Sequence, residues 1–447
     1  MSTLQIKTSF ADIFRFALPI SVSILIPQVN FITNNVFLSR LGETELGTAG
    51  ITGVYYLIFT VIGFGFNNGL QSLMSRSAGG GNQAEIGRYL AQAIKVICFL
   101  SIAGVVFTYL FAPYIMKSQL QNGEVLDLAV SFVKIRILGL PFLFLYQIGN
   151  SFLISTNNTR FLMIGSIAEA ATNIILDYIL IFGHFGFRPM GFEGAAWASI
   201  IAEAVGMVVV HSFLWYKKLP QEFRVLSFKG WDRSATYNIF DRSAPLIFQY
   251  LISIVSWFLF YLWIEDLGPR ALAISNTMRN VFGVIGVFIW AFAATSNNMV
   301  SNIIGQGHLD QVIPLIKRIA SLSFFLVLPC CIALNLFPEV FFKLYSASDA
   351  FNHEAIPVIR VVTVAILIMS QGSIWLNAIL GTGLTRINLA IEFVTVGVYV
   401  LYTYTVIKIK HLSLPWAWGS EFFYWSILWF GSWLFFRFFP WRERYKR

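Results

Sequence analysis

The stretch FALPISVSILIPQVNFITNNVFLS, residues 16–39, contains no charged side chain. A helix needs roughly 20 apolar residues to cross the hydrocarbon layer of a membrane, and this run is long enough. Comparable uncharged runs recur at 46–75, 96–116, 243–264, 280–309, 319–338 and 361–385. Their number and length predict a chain built from membrane-spanning helices.

The composition excludes a soluble enzyme of this size. Hydrophobic residues make up 57% of the 447 residues and charged residues 12%, whereas a soluble domain has about 25% charged residues. The glycine run at 79–82 lacks the lysine of a nucleotide-binding loop, and the three cysteines indicate neither a disulfide framework nor a metal site. We therefore expect no ATP hydrolysis and no cofactor.

Twelve helices are predicted in all, and six of them fall in each half of the chain. The predicted spans are 9–39, 46–76, 84–113, 123–151, 158–183, 191–216, 240–264, 268–302, 310–337, 352–381, 386–409 and 413–437.

The Lys and Arg residues predict the orientation of these spans. If the N-terminus is cytoplasmic, 19 of them lie in cytoplasmic segments and 7 on the other side, counted from the sequence. Cytoplasmic segments carry such an excess, so both termini are predicted in the cytoplasm. The basic segment 217–242 and the tail 441–447 would face anionic lipid, which explains the net charge of +9 without any nucleic acid.

The two halves of the chain repeat each other at one constant shift of 226 residues, counted from the sequence, which we call the repeat shift. It places Pro19 on Pro245, and Thr159-Arg160 on Thr385-Arg386. Because each repeat has an even number of spans, both repeats enter the membrane from the same side. The fold class is therefore an all-α integral membrane protein with two six-helix lobes related by a pseudo-two-fold axis along the membrane normal. The predicted division is an N-lobe at 1–217, a linker at 218–239, a C-lobe at 240–440 and the basic tail at 441–447.

Several segments resemble the multidrug and toxic compound extrusion (MATE) family, within the larger group that includes oligosaccharide-lipid flippases. They are 17–50, 63–82, 171–199 and 375–386, the last reading WLNAILGTGLTR. The most specific piece is the Asn173 and Asp177 pair followed by closely spaced glycines. The resemblance implies a V-shaped cavity, export of cationic or amphipathic compounds against Na⁺ or H⁺, and a monomer. It points to the prokaryotic, DNA-damage-inducible-F-like branch in a cytoplasmic membrane.

Glu169, Asn173 and Asp177 lie four residues apart on the fifth predicted span, so they share one helix face. Charged groups inside a membrane are costly, and a functional role is the first hypothesis. Oxygen ligands on one face can bind a hard cation such as Na⁺, and a buried carboxyl group can instead carry a proton. The resemblance also assigns Asn173 and Asp177 to an N-lobe cation site. Glu203 on the sixth span could join this site, or Asp177 could simply pair with Lys95 or Arg136.

The first span departs from the family pattern. Asn34 stands where the family usually carries an aspartate, and an amide can ligate a cation but cannot ionise. Other branches carry acidic residues in the seventh and tenth spans. In this chain Ser253 and Gln371 lie near those two positions. Coupling is therefore expected in the N-lobe, with H⁺ favoured over Na⁺.

Pro19 is a predicted hinge of the first helix, because proline lacks the N–H that continues a helix. An ordinary membrane proline, tolerated by its neighbours, is the alternative.

The predicted substrate cavity combines aromatic and amide side chains, which suits flat amphipathic cations. Its predicted members are Gln249, Trp257, Asn276, Arg279, Gln371 and Trp375. Arg279 would repel a bare cation, so it either pairs with Glu392 or Glu421 or binds an anionic substrate group.

An ion-coupled exporter is the predicted function, with a small-molecule substrate and membrane lipid as partners. The alternative is a flippase for an anionic lipid-linked oligosaccharide, which predicts that Lys95, Lys134, Arg136, Arg279 and Arg360 share one cavity. A membrane enzyme or passive channel is the third hypothesis, but the sequence shows no reactive cluster for it.

Overall fold

The computed structural model of the chain describes residues 4–120, 122–343 and 349–445. Long α-helices connected by short turns make up most of these residues. In chain order they are α1 (Phe10–Ser39), α2 (Glu43–Gly79), α3 (Gln83–Gln119), α4 (Gly123–Arg136), α5 (Leu140–Ser155), α6 (Arg160–Phe182), α7 (Gly191–Tyr216), α8 (Leu219–Glu222), α9 (Arg233–Glu265), α10 (Pro269–Gly305), α11 (Val312–Leu336), α12 (Pro338–Lys343), α13 (Asp349–Thr382), α14 (Thr385–Tyr404), α15 (Leu414–Trp418) and α16 (Ser420–Phe438).

Eleven helical segments in the described part of the chain are long and apolar enough to cross a membrane. The remaining predicted span corresponds to α16, a helix of 19 residues that carries Glu421 and Arg437 at its ends. The predicted all-α, multi-span membrane fold is confirmed. Lys446, Arg447 and the side chain of Lys343, which entered the charge count, lie outside the described residues.

The fourth predicted span is two helices rather than one. A 3₁₀ turn at Ile137–Gly139 separates α4 from α5, and Pro141 lies in the first turn of α5. Because Pro141 has no N–H, it cannot donate to the carbonyl four residues earlier, and the α-helical ladder is interrupted there. Together α4 and α5 still form one crossing segment.

The chain divides into two compact units. The first unit consists of residues 22–247, and the second consists of residues 4–21 with 248–445. The boundaries follow Ser21 in α1 and Ile247 in α9, two positions that the repeat shift superposes. The lobe limits predicted at 217 and 240 stay a prediction.

In the first unit, the segment predicted as a linker is ordered against α3. Arg88 pairs with Asp232 at 2.5 Å, and Gln92 exchanges hydrogen bonds with Gly230 and Asp232. Asp232 also accepts a hydrogen bond from the backbone N–H of Ala235 at 2.9 Å, which caps α9. This cap explains why α9 begins at Arg233, seven residues before the predicted span.

The second unit has its core between α9, α10, α13 and α14. Buried aromatic side chains of Phe260, Tyr399 and Trp418 pack together there. The segment before α1 is docked on α10, where the Asn302 side chain binds the backbone of Leu4 and Ile6. Each unit therefore holds an extended segment against the ends of its helices.

Candidate functional site

The helices α1 and α6 lie side by side in the first unit with a constant register. The Ser166 hydroxyl donates to the Ser23 carbonyl at 3.2 Å, and Asn30 Nδ2 donates to Asn173 Oδ1 at 2.8 Å. Both pairs are separated by 143 residues in the chain. Because the separation is the same seven residues further along, the two helices run parallel.

This register brings Asn34 level with Asp177, since the two have the same separation along the chain as the hydrogen-bonded pairs. Asp177 is fully buried at 0% exposure, and neither of its carboxylate oxygens has a hydrogen-bond donor among the described residues. The side-chain oxygens of Asn30 and Asn34 also lack donors. Buried oxygens are normally satisfied, so this group of unpaired oxygens requires an explanation.

Asn173 connects the group to α7 as well as to α1. It is buried, and its Nδ2 donates to the Ser199 hydroxyl at a long 3.5 Å while its Oδ1 is held by Asn30. The prediction from the sequence included Asn173, Asp177 and Asn34 but missed Asn30. Its position one helical turn before Asn34 was the signal that could have found it.

The structure does not show the alternative in which Asp177 pairs with Lys95 or Arg136. Lys95 Nζ donates to the backbone carbonyls of Gly230 at 2.5 Å and Phe228 at 2.9 Å, at the end of the chain segment docked on α3. Arg136 has a different carboxylate partner. Asp177 therefore lacks a counter-ion within the described residues.

Glu203 is the partner of Arg136. The guanidinium group makes two hydrogen bonds to the carboxylate, at 2.9 and 2.5 Å, and its carbon lies 3.8 Å from the centre of the Tyr56 ring. The Tyr56 hydroxyl also approaches the Glu203 carboxylate at 3.3 Å. Glu203 is thus neutralised by an ion pair, in contrast to Asp177, and its predicted role in coupling stays a prediction.

Glu169 is half-buried on α6. It is one turn before Asn173 on α6, and its side chain packs where a Cβ on Gly206 of α7 would come within 3.2 Å of the Glu169 Cβ. The nearby Tyr146 hydroxyl is hydrogen-bonded with Ser166 at 3.1 Å. Glu169 therefore shares the α6 face with Asn173 and Asp177 as predicted, and its role is untested.

We call Asp177, Asn30, Asn34 and Asn173 the Asp177 group. These four side chains offer a cation only oxygen ligands. Among residues 4–120, 122–343 and 349–445, no cluster of three or more His, Cys, Asp or Glu side chains could hold a metal ion. Carboxylate and amide oxygens suit a hard monovalent cation, and a single carboxylate suits a proton equally well. The donor set therefore fits H⁺ or Na⁺ and does not fit a transition metal.

Pro19 is buried in α1, and the helix continues through it. It lies two residues before the point where α1 passes from the second unit to the first. Its predicted role as a hinge stays a prediction.

In the second unit, three residues predicted to line a substrate cavity are engaged in packing. Gln249 donates to Glu392 at 3.3 Å, and Gln371 donates to the Ala320 carbonyl at 3.1 Å. Trp375 is 6% exposed and packs against Phe436, with ring centres 5.8 Å apart. Their amide and indole groups have partners in this structure, and a substrate contact stays untested.

The other three predicted cavity residues are more accessible. Asn276 and Arg279 are exposed, and Trp257 is half-buried with its ring 5.3 Å from that of Tyr261. The Arg279 guanidinium lies 6.0 Å from the Tyr261 ring. The expected pairing of Arg279 with Glu392 or Glu421 is not observed.

Those two acids have other partners. Glu421 accepts a hydrogen bond from the Trp425 indole at 2.9 Å, and Glu392 accepts hydrogen bonds from Ser253 and Tyr424. The sequence could not indicate these contacts, because the Glu392 partners lie 139 and 32 residues away in the chain.

A family model described as MatE matches residues 19–179 and 245–405 of the chain. The starts of the two matches are separated by the repeat shift. The chain is 25% identical over 365 residues to a probable multidrug resistance protein NorM of Synechocystis sp., covering 78% of this chain and 76% of that protein. It is 21% identical over 408 residues to a protein of the same description from Thermotoga maritima, covering 91% and 88%.

Solved structures share the fold. A crystal structure of MATE in complex with MaD3S superposes with a TM-score of 0.90 at 16% identity, covering 99% of this chain and 98% of that one. A transporter of the MOP superfamily from Pyrococcus furiosus superposes with a TM-score of 0.88 at 16% identity, covering 99% and 97%. At this identity the likeness establishes the fold alone.

Proposed function

This chain belongs to the MatE family of cation-coupled multidrug efflux transporters, and on that premise we propose that it exports amphipathic cationic compounds against H⁺, with coupling at Asp177. Membership makes the chain a multi-pass membrane transporter and not an enzyme. The proposed substrate class follows from the relatives' description as multidrug resistance proteins and from the accessible Asn276 and half-buried Trp257 of the second unit.

The observation that carries the coupling proposal is the unpaired carboxylate of Asp177. An ionised carboxylate buried without a donor or counter-ion is costly, so Asp177 is expected to hold a proton or a cation. Arg136 and Lys95, the basic groups that could have neutralised it, are occupied elsewhere. Asp177 is therefore free to exchange its positive partner during transport.

We favour H⁺ over Na⁺ because Asn34 carries no charge. Asn34, Asn173 and Asn30 supply amide oxygens that could hold Na⁺ beside Asp177, but a single carboxylate gives the ion only one full charge. A proton needs no further ligand. The amides then serve to orient the Asp177 carboxyl group and to exclude water from it.

The conformational part of the proposal concerns α1. Binding at Asp177 changes the packing of α1 against α6, and the helix adjusts at Pro19, where one backbone hydrogen bond is missing. Transport then proceeds by alternating access, the mechanism that parallel-repeat transporters use. We further propose a monomer of the DNA-damage-inducible-F-like branch in a cytoplasmic membrane, with both termini in the cytoplasm. The bacterial relatives support the cytoplasmic membrane, and the excess of basic residues supports the orientation of the termini.

The flippase alternative has less support. It requires several basic side chains in one cavity, whereas Lys95 and Arg136 are held by partners within the first unit. Two of the five basic residues that the flippase hypothesis places in one cavity are thus engaged in local contacts.

The test is transport by the purified protein in proteoliposomes with separately imposed pH and Na⁺ gradients, using ethidium as a fluorescent amphipathic cation. Wild type is expected to move ethidium in exchange for protons that flow down the imposed pH gradient. Asp177→Asn is expected to lose this coupling. Asp127→Asn is the matched control, because Asp127 is an exposed carboxylate of the same unit. If Asp177→Asn transports ethidium with the pH dependence of wild type, the proposal is wrong.

A further inference from the structure

A further buried carboxyl group, Glu392, lies in the second unit within a cage of neutral polar side chains. Its Oε1 accepts hydrogen bonds from the Tyr424 hydroxyl at 2.5 Å and the Ser253 hydroxyl at 2.6 Å. Its Oε2 lies 3.3 Å from Gln249 Nε2. We call these four residues, together with Asn388, the Glu392 cage. Glu392 is 1% exposed, so water does not solvate its charge.

No basic side chain balances this carboxyl group within the described residues. The helix α9 faces it with Gln249 and Ser253, and α14 itself contributes the neutral Asn388. On α16 the nearest titratable groups are Tyr424, which donates to it, and Glu421, which is bound by an indole.

The titratable groups further out do not neutralise it either. Tyr399 is buried, and its ring lies 5.6 Å from that of Tyr424. The last charged residue of α13 is Arg360, which is exposed and makes no ion pair with Glu392. A buried carboxyl group that is surrounded by neutral side chains and has no counter-ion is neutralised by a proton.

The amides of the cage can adapt to either protonation state. In the structure Gln249 donates to Glu392 and accepts from Asn388 Nδ2 at 2.9 Å, while Asn388 Oδ1 has no donor. The oxygen and nitrogen of an amide occupy nearly equivalent positions. If both amides reverse, a protonated Glu392 donates to the Gln249 oxygen, and Gln249 donates to Asn388. The hydrogen bonds that connect Glu392, Gln249 and Asn388 therefore run in one direction when Glu392 is protonated and in the opposite direction when it is ionised.

The repeat shows that this acid is not a copy of Asp177. The repeat shift places Glu392 on Ser166 and Gln249 on Ser23, and these serines are themselves hydrogen-bonded. Asp177 falls on Thr403, eleven residues further along α14 than Glu392 and about 16 Å away along the helix axis. Asp177 and Glu392 therefore both lie on the fifth span of their repeats without an ion-pair partner in the described residues, but at different positions along that span.

We propose that Glu392 is a second exchangeable proton site, which takes one proton from water and returns it to water, separately from Asp177. Proton binding at Glu392 reverses the Gln249 and Asn388 amides and so alters the contact of α9 with α14. The binding itself is independent of the antiport proposed above, whereas its use in transport rests on that antiport.

The test is infrared difference spectroscopy of the purified full-length protein, titrated over pH, for wild type, Glu392→Gln and Asp177→Asn. Wild type is expected to show a titrating carboxyl band that Glu392→Gln removes and Asp177→Asn retains. Tyr424→Phe removes one hydrogen bond to the carboxyl group and is expected to move that same band to higher frequency. This variant keeps the aromatic ring, so it tests the assignment if Glu392→Gln folds poorly.

The proposal is overturned if the titrating bands of Glu392→Gln match those of wild type, or if the Glu392 band does not change with pH. The number of protons exchanged per ethidium in proteoliposomes is expected to be lower by about one in Glu392→Gln than in wild type. Loss of coupling in Asp177→Asn together with an unaltered spectrum of Glu392→Gln contradicts this inference alone. A titrating Glu392 band together with normal coupling in Asp177→Asn contradicts only the function proposed above.

Discussion

Glu203→Gln tests whether the Arg136 ion pair holds the first unit together. The substitution keeps the shape of the side chain but removes its charge, so the guanidinium of Arg136 loses the carboxylate that it contacts at 2.9 and 2.5 Å. The side chains of Arg136 and Glu203 are only 15% and 6% exposed, so water cannot replace the lost partner. Tyr56 remains under the guanidinium, with its ring centre 3.8 Å from the guanidinium carbon.

The expected cost is large for a single substitution. Removing one partner of a buried ion pair costs about 3–5 kcal/mol, mainly because the other charge stays buried. Since Arg136 keeps some exposure and its contact with Tyr56, we expect the lower end, about 3 kcal/mol. The double variant Arg136→Met with Glu203→Leu removes both charges, and we expect it to lie within about 1 kcal/mol of wild type.

The measurement is equilibrium unfolding in mixed detergent micelles, with Glu354→Gln as a matched control. Glu354 pairs with Arg270 at 2.9 Å, but both side chains are about half exposed, so its loss should cost less than about 1 kcal/mol. If Glu203→Gln is no more destabilising than Glu354→Gln, the reasoning about burial is refuted. If the double variant is stable but does not transport, the Arg136 and Glu203 pair is needed for transport as well as for stability.

Two further predictions concern the segment docked on α3. Gly87→Ala would drive a Cβ into the Phe223 carbonyl oxygen, so we expect about 1–3 kcal/mol of destabilisation and faster proteolysis near Phe223. Gly47→Ala, also in a helix but in open space, should neither destabilise the protein nor speed this proteolysis. Hydrogen bonds from Arg88 lower the pKa of Asp232 from 3.8 to about 2, so the stabilisation by the ionised pair is complete above about pH 4 and is lost as the pH falls through about 2. Asp232→Asn keeps the cap of α9 and should remove this acid-dependent step in proteolysis of the segment; an unchanged step would show that another group titrates.

The spans could be predicted because they depend on local properties of the chain. Length without charge and the 3.6-residue helix are both visible in one segment, so the predicted spans agree with the helices to within a few residues in most cases. The interruptions and the ends of the helices depend on further information. The 3₁₀ turn before Pro141 follows from a known property of proline, but the early start of α9 depends on the cap by Asp232.

The candidate site could be predicted only in part. The spacing of Asn173 and Asp177 and the resemblance indicated where a cation could bind. Whether Asp177 has a counter-ion was open, because Lys95 and Arg136 were both available in the sequence. The predicted substrate contact of Gln249 stays a prediction, and the sequence could not indicate its contact with Glu392, 143 residues away.

By itself the sequence determined that this chain is a helical membrane protein with two repeated halves and a MATE-like pattern of polar residues. Hydrophobic length and repetition are properties of the chain, so they need no knowledge of which helices meet. Only the tertiary structure decided which buried acid is neutralised: Glu203 by Arg136, and neither Asp177 nor Glu392 by any cation in the described residues. The reason is that the cost of a buried charge depends on groups within a few ångströms, and packing of distant segments alone brings those groups together.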